Sequence, residues 1–94
     1  MSYIQLKQRL DAGDVIVLDG GTGTELERRG VPMSPEAWCG PATLGNAELL
    51  TQIHLDYINA GSDVITANTY AANSMMLKPA GYGDKIEEIV KTAV

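Results

Sequence analysis

The sequence predicts an α/β protein built on a parallel sheet, and three observations carry that prediction. The run Val15–Leu18 (VIVL) is continuously apolar between Asp14 and Asp19, as expected of a strand buried on both faces. A second strand candidate, Val64–Ala67, lies far downstream and ends in the polar pair Asn68-Thr69. Segments with helical spacing precede, separate and follow the two runs. Strands alternating with helices imply βαβ units, with a right-handed connection between the strands.

Each element has its own signals. Tyr3, Ile4, Leu6 and Leu10 are spaced for a short helix over Tyr3–Asp11, with Ser2 as N-cap and Ala12-Gly13 as its end. Thr24–Arg29 is expected as a short helix closed by Gly30. Residues Val31–Gly45 hold Pro32, Pro35 and Pro41 and are expected as an irregular excursion, a length of loop that is usually functional or poorly ordered. Asn46 is the expected N-cap of the clearest helix, whose stripe is Leu49, Leu50, Ile53, Tyr57 and Ile58, with Gly61 just past its end. Ala71–Leu77 is expected to be helical up to Lys78-Pro79, and Ala80–Asp84 to turn. Asp84 and Glu87 form a capping pattern before a last helix with Ile86, Ile89, Val90 and Ala93 on one stripe.

The 94 residues are 45% hydrophobic and 20% charged, an ordinary globular composition with room for one modest core and a single domain. The net charge is -5 and the seven Lys and Arg are scattered, only Arg28-Arg29 being adjacent, so no nucleic-acid partner is expected. No apolar run approaches the ~20 residues of a membrane helix, and the charged N-terminal stretch, which has no apolar run, is not expected to be a signal peptide. The single Cys39 excludes an internal disulfide framework and fits a reducing compartment; the expected location is cytoplasmic. Two strands are too few for a finished parallel sheet, and the last helical pattern runs to Val94. Both features lead to the expectation of an incomplete domain, the first part of a larger α/β protein.

The most informative stretch is Asp19–Gly30, DGGTGTELERRG. A dinucleotide loop needs a third glycine where Leu26 stands, and a P-loop needs a lysine that is absent between Gln8 and Lys78. The Asp19 carboxylate would also repel a phosphate. Gly20, Gly21 and Gly23 are explained equally by a tight strand-to-helix turn at positive φ, but the aspartate at the strand end is not.

In parallel α/β folds, ligands bind beyond the carboxyl ends of the strands. With the two strands adjacent, Asp19, Asn68 and Thr69 face one mouth, a set suited to a small zwitterion. A cap or turn aspartate and an Asx-turn asparagine are the structural alternatives. The other candidates point elsewhere. His54 lies mid-helix without metal partners, Cys39 has no second Cys or His at ligand spacing, and Met75-Met76-Leu77 suits core filling. Trp38 would line the mouth or pin the long loop. The Glu25, Glu27, Arg28, Arg29 cluster is expected as a solvated helix face.

LDGGTGTELERRG, a Trp-containing loop, and then IHLDYINAGSDVITANTY together resemble the N-terminal part of the homocysteine S-methyltransferase family. That family includes the betaine–homocysteine methyltransferases and the homocysteine-binding module of cobalamin-dependent methionine synthase. The resemblance covers Val15–Ala72 well and continues more loosely to Val94. It implies a (β/α)8 TIM barrel, of which this chain would be the N-terminal fragment: about two βα units with a lead-in helix closing the bottom and a final helix. It implies a methyl transfer from a small donor to the homocysteine thiolate, giving methionine. Zinc, held by three cysteines of later strands, is implied for the full-length parent; none of those ligands is in this chain, which by itself would be inactive. Carried over by motif, Asp19 would accept the homocysteine ammonium, Gly20 and Gly21 would let the backbone approach it, and Asn68 and Thr69 would position the substrate. A non-catalytic binding or assembly module derived from a barrel fragment, covering its open edges by self-association, is the alternative.

Overall fold

The computed structural model describes residues 1–94. Helix α1 spans Tyr3–Asp11, and its Ser2 cap is reciprocal: the Gln5 N–H donates to Ser2 Oγ, and the Ser2 N–H to the Gln5 side chain. Helix α2 spans Thr22–Arg28, two residues ahead of expectation, and Gly30 follows it with φ at +95°, a value that glycine adopts without strain. Helix α3 is Ala47–Asn59, α4 Ser74–Leu77 and α5 Ile86–Ala93, with a 3₁₀ turn at Gly40–Thr43.

Local cap chemistry departs from the sequence pattern at three places. Asn46 occupies the N-cap position of α3 as expected, but its side chain makes no capping bond; its Nδ2 donates to the Ala42 carbonyl instead (2.8 Å). Asp84 does not cap α5, which starts from Lys85 without a side-chain cap, while Glu87 pairs with Lys91. The helix expected over Ala71–Leu77 is only its last turn, because Asn73 caps Met76 N–H and thereby starts α4 at Ser74.

The two expected strands are extended but short of regular pairing. They meet at one parallel bridge, Leu18 with Val64. Asp19 N–H donates to the Val64 carbonyl (3.0 Å), and the Asp63 and Val64 N–H groups donate to that of Val17 (2.8 and 3.3 Å). A carboxylate extends this pairing at each end. Below, Asp63 accepts the Val17 N–H (3.0 Å); above, Asp19 accepts the Thr66 N–H (2.8 Å). Arg9 of α1 bonds both Asp63 (2.8 Å) and Asp14 (2.7 Å), fastening the lead-in helix beneath the pair. It holds both carboxyls below their usual range, chiefly through its hydrogen bonds.

The core lies on the helix side. One cluster joins Leu26, Val31, Cys39, Ala42, Leu50 and Ile53; a second joins Ala37, Ala72, Leu77 and Ile89. Residues 31–45 therefore form a partly buried wedge that feeds both clusters. Gly40 makes the second junction close: a Cβ there would stand 2.5 Å from the Ala71 carbonyl oxygen. Leu77 fills the core as its position suggests, but Met75 is exposed.

The extended segments are bare on the other side. Val15 is 73% exposed and Leu18 63%, and α1 buries none of its residues. The radius of gyration of the 94-residue chain is 15.0 Å, against roughly 12 Å for a closed domain of this length. Its surface, 6033 Å², likewise exceeds the roughly 5,200 Å² of a closed monomer of this mass.

Candidate functional site

A cleft of about 240 Å³ opens at the carboxyl ends of the two segments. Leu18, Asp19 and Gly20 line it from the end of the first segment and Thr66, Ala67, Asn68 and Tyr70 from that of the second, together with Thr22, Gly23, Trp38 and Cys39. Of the five sequence candidates, Asp19, Gly20 and Asn68 line the cleft; Gly21 and Thr69 do not.

Asp19 is half-buried and carries no ion pair. The cations are committed elsewhere: Lys7, Arg9, Arg28, Arg29, Lys85 and Lys91 all hold other carboxylates, and Lys78 does not line the cleft. Asp19 accepts the Thr66 backbone N–H on Oδ2 (2.8 Å) and the Thr66 hydroxyl on Oδ1 (3.0 Å). An ionised carboxylate has about four acceptor sites, so two remain for a ligand.

Asn68 is 95% buried, leaving 5% exposed. Its Nδ2 donates to the Cys39 carbonyl (3.2 Å) and to Thr43 Oγ1 (3.1 Å). The carbonyl can only accept, which fixes the amide orientation. Asn68 thus ties the end of the second segment to the wedge, and its Oδ1 is left with no hydrogen bond. Thr69 is occupied by the turn, its carbonyl accepting the Ala72 N–H.

The glycines are present for close approach. Gly20, Gly21 and Gly23 all lack positive φ, contrary to the tight-turn expectation. A Cβ on Gly20 would meet the Tyr57 hydroxyl at 2.8 Å, and one on Gly23 would meet Cys39 Sγ and the Trp38 ring at 2.8 Å. Tyr57 of α3 supports the loop by donating to the Gly21 carbonyl (3.2 Å). Trp38 is itself at φ +47° and is 41% exposed. It is held there by a reciprocal pair of backbone bonds with Ser34 (both 2.8 Å), so the left-handed strain is balanced by a closed loop. Thr66 was missing from the sequence candidates. Its signal is the polar pair Thr66 and Asn68, two residues apart at the end of an extended run, where alternate side chains share a face.

The remaining candidates have structural roles. Glu25 accepts from Arg28 (2.8 Å) and Arg29 (3.0 Å), and Arg29 reaches Asp56 of α3 (2.8 Å). Glu27 and Arg28 are exposed, as expected of a solvated face, while Glu25 and Arg29 link α2 to α3, and the Glu25 carboxyl is lowered to about 2, mainly by Arg28. Cys39 is buried, and burial pushes its thiol up. His54 buries Nδ1 without a partner. No three His, Cys, Asp or Glu side chains converge as a metal site.

The match to known proteins spans the cleft. Residues 16–94 match the family described as homocysteine S-methyltransferase. The chain belongs to the homocysteine S-methyltransferase family. It is 32% identical over 95 aligned positions to a selenocysteine Se-methyltransferase of Brassica oleracea var. italica, covering 99% of this chain and 28% of that protein. It is 35% identical to homocysteine S-methyltransferase 4 of Zea mays, covering 89% of this chain and 25% of that protein. It is 36% identical to the homocysteine S-methyltransferase of Escherichia coli K12, covering 82% and 23%. The chain thus spans about a quarter of the length of these family members. No solved structure matches it. No helix is long and apolar enough to cross a membrane.

Proposed function

We propose that this chain is the N-terminal part of a (β/α)8 barrel that methylates the sulfur of homocysteine, and that the cleft binds the amino-acid end of that substrate. The observation that carries the reading is the Asp19 carboxylate: half-buried, at a segment's carboxyl end, and without a cation. A half-buried carboxylate without an ion-pair partner is stabilised by an ammonium through a charge-assisted hydrogen bond. Family membership supplies the substrate class. The bare Val15 and Leu18 surfaces and the large radius of gyration support a chain completed by further barrel strands.

In this reading Asp19 holds the homocysteine ammonium, Asn68 Oδ1 offers a second acceptor, and Trp38 walls the cleft against water. The thiolate attacks the methyl carbon of the donor; the S–C bond forms as the donor–methyl bond breaks, its electron pair leaving with the donor. The residues present do not fit a zinc ion. The only thiol is Cys39, buried with its pKa raised, and it has no convergent partners. In this reading thiol activation is assigned to the rest of the barrel and not to Cys39.

Relatives named for selenocysteine favour a second substrate. Selenocysteine presents the same ammonium and carboxylate, and the cleft as built would treat the two alike. The test is homocysteine methylation by the complete protein carrying this segment, with a sulfonium donor. Asp19→Asn should raise the homocysteine KM by about tenfold or more, the loss of one hydrogen bond to a charged group. Unchanged KM and kcat would refute the assignment.

A further inference from the structure

We propose that Thr66 is the positioning residue of the ammonium site: its backbone N–H and its hydroxyl together fix the plane of the Asp19 carboxylate. This deepens the substrate-site reading above and rests on it. The argument begins with the end of the strand pairing. Beyond Leu18 and Val64 the first segment peels away into Gly20-Gly21 and α2, so the Thr66 N–H has lost the backbone carbonyl it would otherwise meet. The Asp19 side chain takes that carbonyl's place at 2.8 Å. The same residue supplies a second donor, the hydroxyl, to the other carboxylate oxygen at 3.0 Å. Each oxygen thus carries one bond from a single residue across the gap, and no other donor reaches Asp19. Such two-point contact removes rotation about the carboxylate's own axis, which one bond alone would leave free.

The remaining acceptor positions are thereby aimed as a pair. Thr66 and Asp19 both line the cleft, so the pair is presented to its occupant before anything binds. A preorganised carboxylate binds an ammonium without first being ordered. The hydroxyl is the dispensable half of this arrangement: removing it leaves the backbone bond and the segment register intact. The expected consequence is a site that still closes and reacts but no longer distinguishes an amino group well.

The experiment compares Thr66→Val, Thr66→Ser and Asp19→Asn in the complete protein, with homocysteine and its desamino analogue 4-mercaptobutyrate as acceptors. Thr66→Val should raise the homocysteine KM by about tenfold and leave kcat within about twofold, since the contact is made equally in the ground and transition states. The ratio of the two acceptors' KM values should fall by the same factor, a change that a general loss of structure would not produce. Thr66→Ser, which keeps the hydroxyl, should restore both. Should the valine variant fail to fold, Thr66→Ala is judged by the same criteria. Wild-type KM in Thr66→Val alongside a raised KM in Asp19→Asn would overturn this inference and leave the substrate site standing. A serine variant as impaired as the valine one would also overturn it. Wild-type KM in Asp19→Asn would overturn the substrate site itself.

Discussion

Replacing Asn68 with alanine tests whether the cleft is held together by one buried amide. The side chain makes two hydrogen bonds, to the Cys39 carbonyl and to Thr43 Oγ1. After truncation the Cys39 carbonyl still accepts the Ala42 N–H (3.1 Å), but Thr43, fully buried, is left without its partner. Two lost bonds at about 1 kcal/mol each, plus a further ~1 kcal/mol for the stranded hydroxyl and the void, give a cost of about 3 kcal/mol. For a chain of this size that lowers Tm by roughly 12–24 °C. Trp38 is the only tryptophan and adjoins the carbonyl that Asn68 holds, so urea unfolding followed by its fluorescence reads both global stability and the local environment. Asn68→Asp sharpens the test: near pH 7 it sets a carboxylate against the Cys39 carbonyl, two acceptors face to face, and should cost at least as much as alanine. Acidification should recover part of that loss, because a protonated carboxyl can donate. An alanine variant within about 1 kcal/mol of wild type, with unchanged Trp38 emission, would refute the strut.

Three further outcomes are expected. Gly40→Ala drives a Cβ to 2.5 Å from the Ala71 carbonyl oxygen, a backbone clash with no side chain to yield. It should cost about 3 kcal/mol or more by urea midpoint. On acidification, Glu25 (lowered from 4.5 to about 2) and Asp14, Asp56 and Asp63 (all lowered) contribute stability that is present above the ordinary carboxylate range and lost as pH falls toward 2. Arg9→Gln should shift the acid-unfolding midpoint upward, and an unmoved midpoint would count against the Arg9 clamp. Leu18→Lys, at a position 63% exposed, should change the stability of this chain by no more than about 0.5 kcal/mol. In the complete protein it should be strongly destabilising if further strands cover that face, and equal tolerance in both would contradict the barrel proposal.

Elements governed by contacts within a few residues were legible in the sequence. The Ser2 capping box defines α1, the apolar stripe of α3 runs from Leu49 to Tyr57, and Gly30 and Gly61 sit at positive φ just past their helices. Asn46 takes the N-cap position of α3, but its side chain goes to the Ala42 carbonyl, and the Asp84 cap does not form, Lys85 standing at the N-cap of α5 and Glu87 pairing with Lys91. The Pro-rich stretch is irregular as expected apart from its 3₁₀ turn, but its burial had no signal in the sequence. Its Val31, Ala37, Cys39 and Ala42 have no periodicity of their own, and they are buried by elements on both sides.

By itself, the sequence determined the helices with local signals, the two apolar runs, the family and the aspartate that ends the first run. Those depend on side-chain order and short-range bonding. Only the tertiary structure decided what the candidates do. Gly20 and Gly23 are there because Tyr57, Cys39 and Trp38 press against them, Asn68 braces the wedge, and Thr66 grips Asp19 from 47 residues away. Contacts between residues so far apart arise only when the chain brings both segments' ends to one edge, and no local pattern records that.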